Sequence, residues 1–160
     1  MFQDYTILLV EDDKVMQEYI DIILRDSCKE LFFANNGVEG LEQYQKHRPD
    51  LIITDLNMPI MDGIEMSKHI KTEDFTQPII LLTAYGDIKE LQEAINIGLN
   101  AFLSKPVENK EILFKTIAKL LMHVNKVKSH DEHKADSVVN DLLHNNQEYV
   151  DYESLILDVR

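Results

Sequence analysis

Short, almost wholly apolar runs alternate along the chain with longer stretches whose apolar residues recur every three or four positions. Residues 5–10 (YTILLV), 30–34 (ELFFA), 50–54 (DLIIT), 78–83 (PIILLT) and 101–103 (AFL) read as strands. Hydrophobicity that is continuous rather than alternating suits strands covered on both faces, as in a parallel sheet. Between them, Val15, Tyr19, Ile22 and Ile23 mark a first helix, and Val38, Leu41 and Tyr44 a second that stops before Pro49. Ile64, Met66 and Ile70 mark a third that ends near Asp74. A fourth starts about Asp87 with Ile88, Leu91, Ala94 and Ile95, and Gly98 is placed to close it. The fifth follows Pro106-Val107 with Ile112, Leu113, Ile117, Leu120 and Leu121. Five β-α repeats predict an α/β fold, a five-stranded parallel sheet with right-handed crossovers and helices on both faces. In such folds ligands bind beyond the carboxyl ends of the strands, so the residues just after each strand should carry the chemistry.

The pattern changes after about residue 122. Residues 123–160 hold four of the six histidines and no Gly or Pro. The apolar ladder Leu113, Ile117, Leu120, Val124, Val127 breaks at Asp131, and a weaker one resumes with Val138, Val139, Leu142 and Leu143. The chain is therefore read as a domain over 1–122 with a helical tail or linker over 123–160. Three readings of the tail stay open: a dimerisation helix, a linker to an output region, and a partner-docking segment. His123, His130, His133 and His144 are expected to be solvated rather than metal-bound.

Composition removes several function classes. Sixteen Lys plus Arg against 29 Asp plus Glu give a formal charge of −13. That balance argues against nucleic acid and anionic membranes as partners, since both are held through cationic contacts. No apolar run approaches the ~18 residues of a membrane span, and the N-terminus lacks a signal-peptide pattern, so a cytoplasmic protein is expected. The lone cysteine, Cys28, has no internal partner and is read as a small hydrophobe at a helix end, consistent with a reducing compartment.

The strand ends are chemically unusual. Glu11, Asp12 and Asp13 follow the first strand, Asp55 the third, Thr83 the fourth and Lys105-Pro106 the fifth. Taken singly, Asp12 or Asp13 could cap a helix, Thr83 could be a turn residue and Lys105 a solvated charge. Taken together, Glu11, Asp12 and Asp55 would repel one another unless cations offset them. Lys105 is one such cation, and a hard divalent ion with oxygen ligands, Mg²⁺, is the other natural candidate.

The segments LLVEDD, DLIITDLNMPIMDG, PIILLTAY and AFLSKP occur in that order, and over about residues 4–122 the chain resembles the receiver domain of two-component response regulators. The resemblance implies a flavodoxin-like strand order 2-1-3-4-5, with Asp55 as phosphoacceptor. It further implies that Asp12 binds Mg²⁺ directly and Glu11 through water. Asp55 and the backbone carbonyl of Asn57 would complete the ligand set. Thr83 and Lys105 would contact phosphoryl oxygens, Phe102 would turn inward as Thr83 moves, and the Lys105-Pro106 peptide would be cis. Asp13, one step beyond the acidic pair, is assigned to starting the first helix. Met58-Pro59 and Asp62-Gly63 are read as turn and helix-start residues.

The implied function is a phosphorylation-dependent switch. A sensor histidine kinase or phosphotransfer protein would donate to Asp55, and the surface of helix four, strand five and helix five would change for a downstream protein effector. No external substrate would be turned over, so the chain is not expected to be an enzyme in the usual sense. The alternative is a Mg²⁺-dependent phosphohydrolase with an aspartyl-phosphate intermediate. Such enzymes of the haloacid-dehalogenase type use a second carboxylate two residues after the nucleophile, where this chain has Asn57, which cannot exchange a proton in that role. Asn57 and Tyr85 are expected to tune the lifetime of the phosphorylated state.

Overall fold

The computed structural model describes residues 2–84 and 88–128. Its elements alternate as β1 (Phe2–Val10), α1 (Lys14–Leu24), β2 (Cys28–Ala34), α2 (Gly37–His47), β3 (Leu51–Asp55), α3 (Gly63–Glu73), β4 (Ile79–Thr83), α4 (Ile88–Asn96), β5 (Ala101–Ser104) and α5 (Lys110–Lys128). The strands form one parallel sheet in the order β2-β1-β3-β4-β5. The described residues up to Leu121 form one compact unit. The start of the fourth helix at Asp87, Tyr85, and the tail pattern from Asp131 onward lie outside the described residues.

Every residue of β3 and β4 is buried. Because strand side chains alternate between faces, the sheet carries two cores. On one face Ile7, Leu9, Ile53, Ile80 and Leu82 pack with Ile20 and Leu24 of α1 and Leu113, Ile117 and Leu121 of α5. On the other, Leu8, Val10, Ile52 and Leu81 pack with Tyr44 of α2, Ile64, Met66 and Ile70 of α3, and Ala94 of α4. The helix ends follow local chemistry. Asp13, Asn36 and Asp62 each cap a helix start with a side-chain oxygen. Gly98, at φ 81°, takes the left-handed turn after α4 that disfavours any residue with a Cβ.

The structure corrects five readings. In α1, Val15 and Ile22 are 77% and 68% exposed, while Ile20 and Leu24 are buried and Met16 and Ile23 pack against them. This helix is apolar on most of its circumference, so two stripes one residue apart both fit the three-to-four spacing. Val38 and Ile112 likewise face outward. β1 begins at Phe2 and β2 at Cys28, earlier than the apolar runs, because Phe2 pairs with Cys28 and stacks on Phe114 of α5 at 5.7 Å. Cys28 thus opens a strand rather than ending a helix; it is buried, with Sγ donating to the Leu24 carbonyl. Finally, Pro78 precedes β4 instead of starting it, and its carbonyl accepts from Ile52 N.

Ile53 sits in the central strand with no exposure. Ile53→Ala should therefore cost about 2–5 kcal/mol, read as a lower urea midpoint with unchanged slope.

Candidate functional site

Strand alternation decides which side chains meet. Leu9 and Ile53 face the α1/α5 core, so Glu11 and Asp55, each two residues further on, point to the same side. Leu103 packs with that core as well, and Lys105 follows it by two. Leu81 and Phe102 belong to the opposite core, and Thr83 shares their side. Of the residues singled out at the strand ends, Glu11, Asp12, Asp55 and Lys105 converge on the first side. Thr83 and Phe102 lie on the second, toward α4.

Lys105 Nζ lies 3.0 Å from Glu11 Oε2 and 3.2 Å from Asp55 Oδ2. Glu11 is wholly buried and Asp55 nearly so, while Asp12 is exposed. Backbone donors complete the shell. Leu56 N–H donates to Asp55 Oδ1 at 2.8 Å and Asp13 N–H to Glu11 Oε1 at 3.0 Å. The Asp13 carboxylate is committed to α1, accepting from Val15 N at 2.8 Å and Met16 N at 3.2 Å. Lys105-Pro106 is a cis peptide, and Lys105 N donates to the Thr83 carbonyl at 2.7 Å. Asn57 is exposed, two residues beyond Asp55, and Thr83 is buried.

Burial raises the pKa of Glu11 above the carboxylate norm, and the Lys105 ammonium and the Asp13 amide pull it back only in part. Burial also raises that of Asp55 against the pull of Lys105 and the Leu56 amide. Lys105 is pushed down by burial, but its hydrogen bond to Glu11 and the charges of Asp55 and Glu11 outweigh this and leave it raised.

One carboxylate oxygen each from Glu11, Asp12 and Asp55 lie within 4.8 Å of one another. Oxygen ligands at about 2.0–2.1 Å around an octahedral Mg²⁺ sit roughly 3–4 Å apart, so an all-oxygen cluster of this span suits such an ion.

Two features of the segment after Asp55 escape the sequence reading. A Cβ on Gly63 would come within 2.1 Å of the Asp55 carbonyl oxygen, so only glycine lets α3 start against the end of β3. Gly63 N–H also donates to the Leu56 carbonyl at 2.9 Å. A glycine directly after an N-cap aspartate, where better helix formers are available, is the one signal of this approach. Ile60, 81% exposed, holds φ 72°, a conformation that no sequence pattern marks for a β-branched residue.

The sequence model described as response regulator receiver domain matches residues 7–117. The chain belongs to the response regulator receiver domain family. It is similar to the chemotaxis protein CheY of Halobacterium salinarum, 34% identical over 107 residues that cover 67% of this chain and 89% of that protein. It is also similar to the sporulation initiation phosphotransferase F of Bacillus subtilis, 34% identical over 106 residues covering 66% and 86%. It spans 55% of the response regulator MprA of Mycobacterium ulcerans, at 31% identity over 82% of this chain. Among solved structures, a response regulator receiver domain protein from Clostridium thermocellum superposes with a TM-score of 0.72 at 26% identity, covering 77% of this chain and 98% of that one. The receiver-domain match thus extends over β1 to α5, the elements that build the acidic site.

A carboxyl with a raised folded pKa holds its proton more tightly in the folded state, so stability falls as pH rises above the ordinary carboxylate range of about 4. With a chelator present, the stability of the parent relative to Asp55→Asn should therefore decline as pH rises from about 4 toward neutrality. Asp55→Asn should be at least as stable as the parent at neutral pH by urea midpoint; a difference between the two that does not change with pH would remove Asp55 from the account.

Proposed function

We propose that this receiver domain is a phosphorylation-dependent switch whose acceptor is Asp55. The observation that carries the reading is the pairing of the nearly buried Asp55 carboxylate with Lys105 beside Glu11 and Asp12. An Asp55 oxygen attacks the phosphorus of the donor; an O–P bond forms, the bond from phosphorus to the donor breaks, and its electron pair leaves with the donor. An ionised carboxylate needs no general base for this step. Lys105 holds positive charge where the transferred oxygens arrive, and Glu11 keeps the ammonium in place. Glu11, Asp12, Asp55 and the Asn57 carbonyl would hold a Mg²⁺ ion, which when bound would supply further neutralisation of phosphoryl charge. Thr83 contacts a phosphoryl oxygen from the α4 side.

Readout follows from the same placement. Thr83 and Phe102 share one face of the sheet, so a shift of the Thr83 hydroxyl toward the phosphoryl group opens space that Phe102 can enter, altering α4, β5 and α5. The donor is a sensor histidine kinase or phosphotransfer protein, and the recipient of the signal a downstream protein effector. Phosphorylation and autodephosphorylation are the only chemistry, in a cytoplasmic setting. In support, none of the described helices is long and apolar enough to cross a membrane. A homodimer through the region beyond residue 122 belongs to the same proposal.

Incubation with acetyl phosphate and Mg²⁺ should add one phosphoryl group by intact mass. Asp55→Asn or a chelator should abolish the gain, and a label that survives both would refute the assignment. Sustained release of phosphate from small phosphate esters would favour a phosphohydrolase instead. Phe102→Ala should be phosphorylated to the same extent as the parent, yet show much smaller phosphorylation-induced amide shifts along α4, β5 and α5 by NMR. Shifts of parental size would take Phe102 out of the readout.

A further inference from the structure

Lys71 lies near the amino ends of the strands, at the pole of the sheet away from Asp55. It is 6% exposed, and its Nζ donates to the Phe75 carbonyl at 3.0 Å and to Asn100 Oδ1 at 3.1 Å. The same Asn100 oxygen accepts from Ile79 N at 3.0 Å, and Asn100 N donates to the Ile79 carbonyl at 3.2 Å. The Phe75 ring lies 5.4 Å from the ammonium and packs on Gly98, where a Cβ would come within 3.0 Å of it. One side chain of α3 therefore joins the turn before β4 to the junction between α4 and β5. A lysine on an amphipathic surface helix normally reaches solvent; this one is turned inward onto two oxygens and a ring.

We propose that Lys71 is a proton-operated latch on the α4–β5 junction, closed while the side chain is an ammonium and loosened when it becomes a neutral amine. The ammonium supplies charge-assisted hydrogen bonds, roughly twice as strong as neutral ones, and a cation over the Phe75 ring. The amine keeps two donors and loses the attraction to the ring. Burial brings the Lys71 pKa down to about 8, against the opposing charge of Asp74 at the end of α3. Among the described residues, Asp74 is the charged group acting on Lys71. Phe75, Ile79, Gly98 and Asn100, from the other packed segments, bring a ring, amides and carbonyls that do not titrate. Phe102 lies two residues beyond Asn100, so the latch sits at the root of the strand that carries it. The latch is independent of phosphoryl transfer.

Amide NMR spectra of the full chain, without phosphoryl donor, would be followed across about pH 6.5–9.5, below the ordinary lysine value near 10.4. The amides of Phe75, Ile79, Gly98 and Asn100 should shift together with a common midpoint near 8. Lys71→Met should abolish this titration, and Lys71→Arg, which stays charged throughout, should abolish it while keeping shifts close to the parent's acid form. The proposal is overturned if the four amides do not titrate in that range, or titrate equally in both variants. Should Lys71→Met fail to fold, lysine Cε labelling of the parent reads the side chain directly; a midpoint at the ordinary lysine value would overturn it too. Since Asp55 labelling is measured separately, failure of the latch and failure of the phosphoacceptor assignment are distinguishable.

Discussion

The site depends on a single ammonium. Lys105 lies within 3.2 Å of two buried carboxylates that arrive from β1 and β3, and no side chain within either strand could offset both. Removing a charge from water costs several kcal/mol, so Glu11 and Asp55 could not share this hollow as anions without a cation between them. The compensation is also incomplete by one simple count. Glu11, Asp12 and Asp55 bring three carboxyl groups to the one ammonium of Lys105. The register of β3, β4 and β5 brings the lysine to this point, and a slip of one residue would turn it to the opposite face.

That same alternation separates the acidic cluster from Thr83 and Phe102. Asp55, Glu11 and Lys105 lie on the α1 and α5 side of the sheet, whereas Thr83 and Phe102 lie on the side of α4. The two sets touch through the backbone, where Lys105 N–H meets the Thr83 carbonyl. The sheet, rigid because both its faces are packed, keeps the two sets in fixed relation.

Most of this was readable from the residues. Strands buried on both sides announce themselves as unbroken apolar runs, and Asp13, Asp62 and Gly98 mark helix ends by well-understood local chemistry. Asp55, Glu11, Asp12 and Lys105 were visible because the fold rule says where to look. What was hidden has physical reasons. The buried stripe of α1 is one residue away from an equally apolar one, so spacing alone cannot choose between Val15 and Ile20. Phe2 and Cys28 join the sheet through a pairing that only the third dimension supplies. Lys71 looks like any solvated lysine of an amphipathic helix until Asn100, 29 residues on, is brought beside it. The contact of Gly63 with Asp55 leaves only a missing side chain as its trace.

Gly63 gives that bare spot a mechanical meaning. With nothing between the first turn of α3 and the carbonyl of Asp55, the helix and β3 abut like two stones without mortar. A shift of the Asp55 main chain toward α3 would meet the helix backbone directly. Gly63 thus makes the start of α3 a close-packed wall behind the end of β3, with the exposed Ile60 on the outward loop between them.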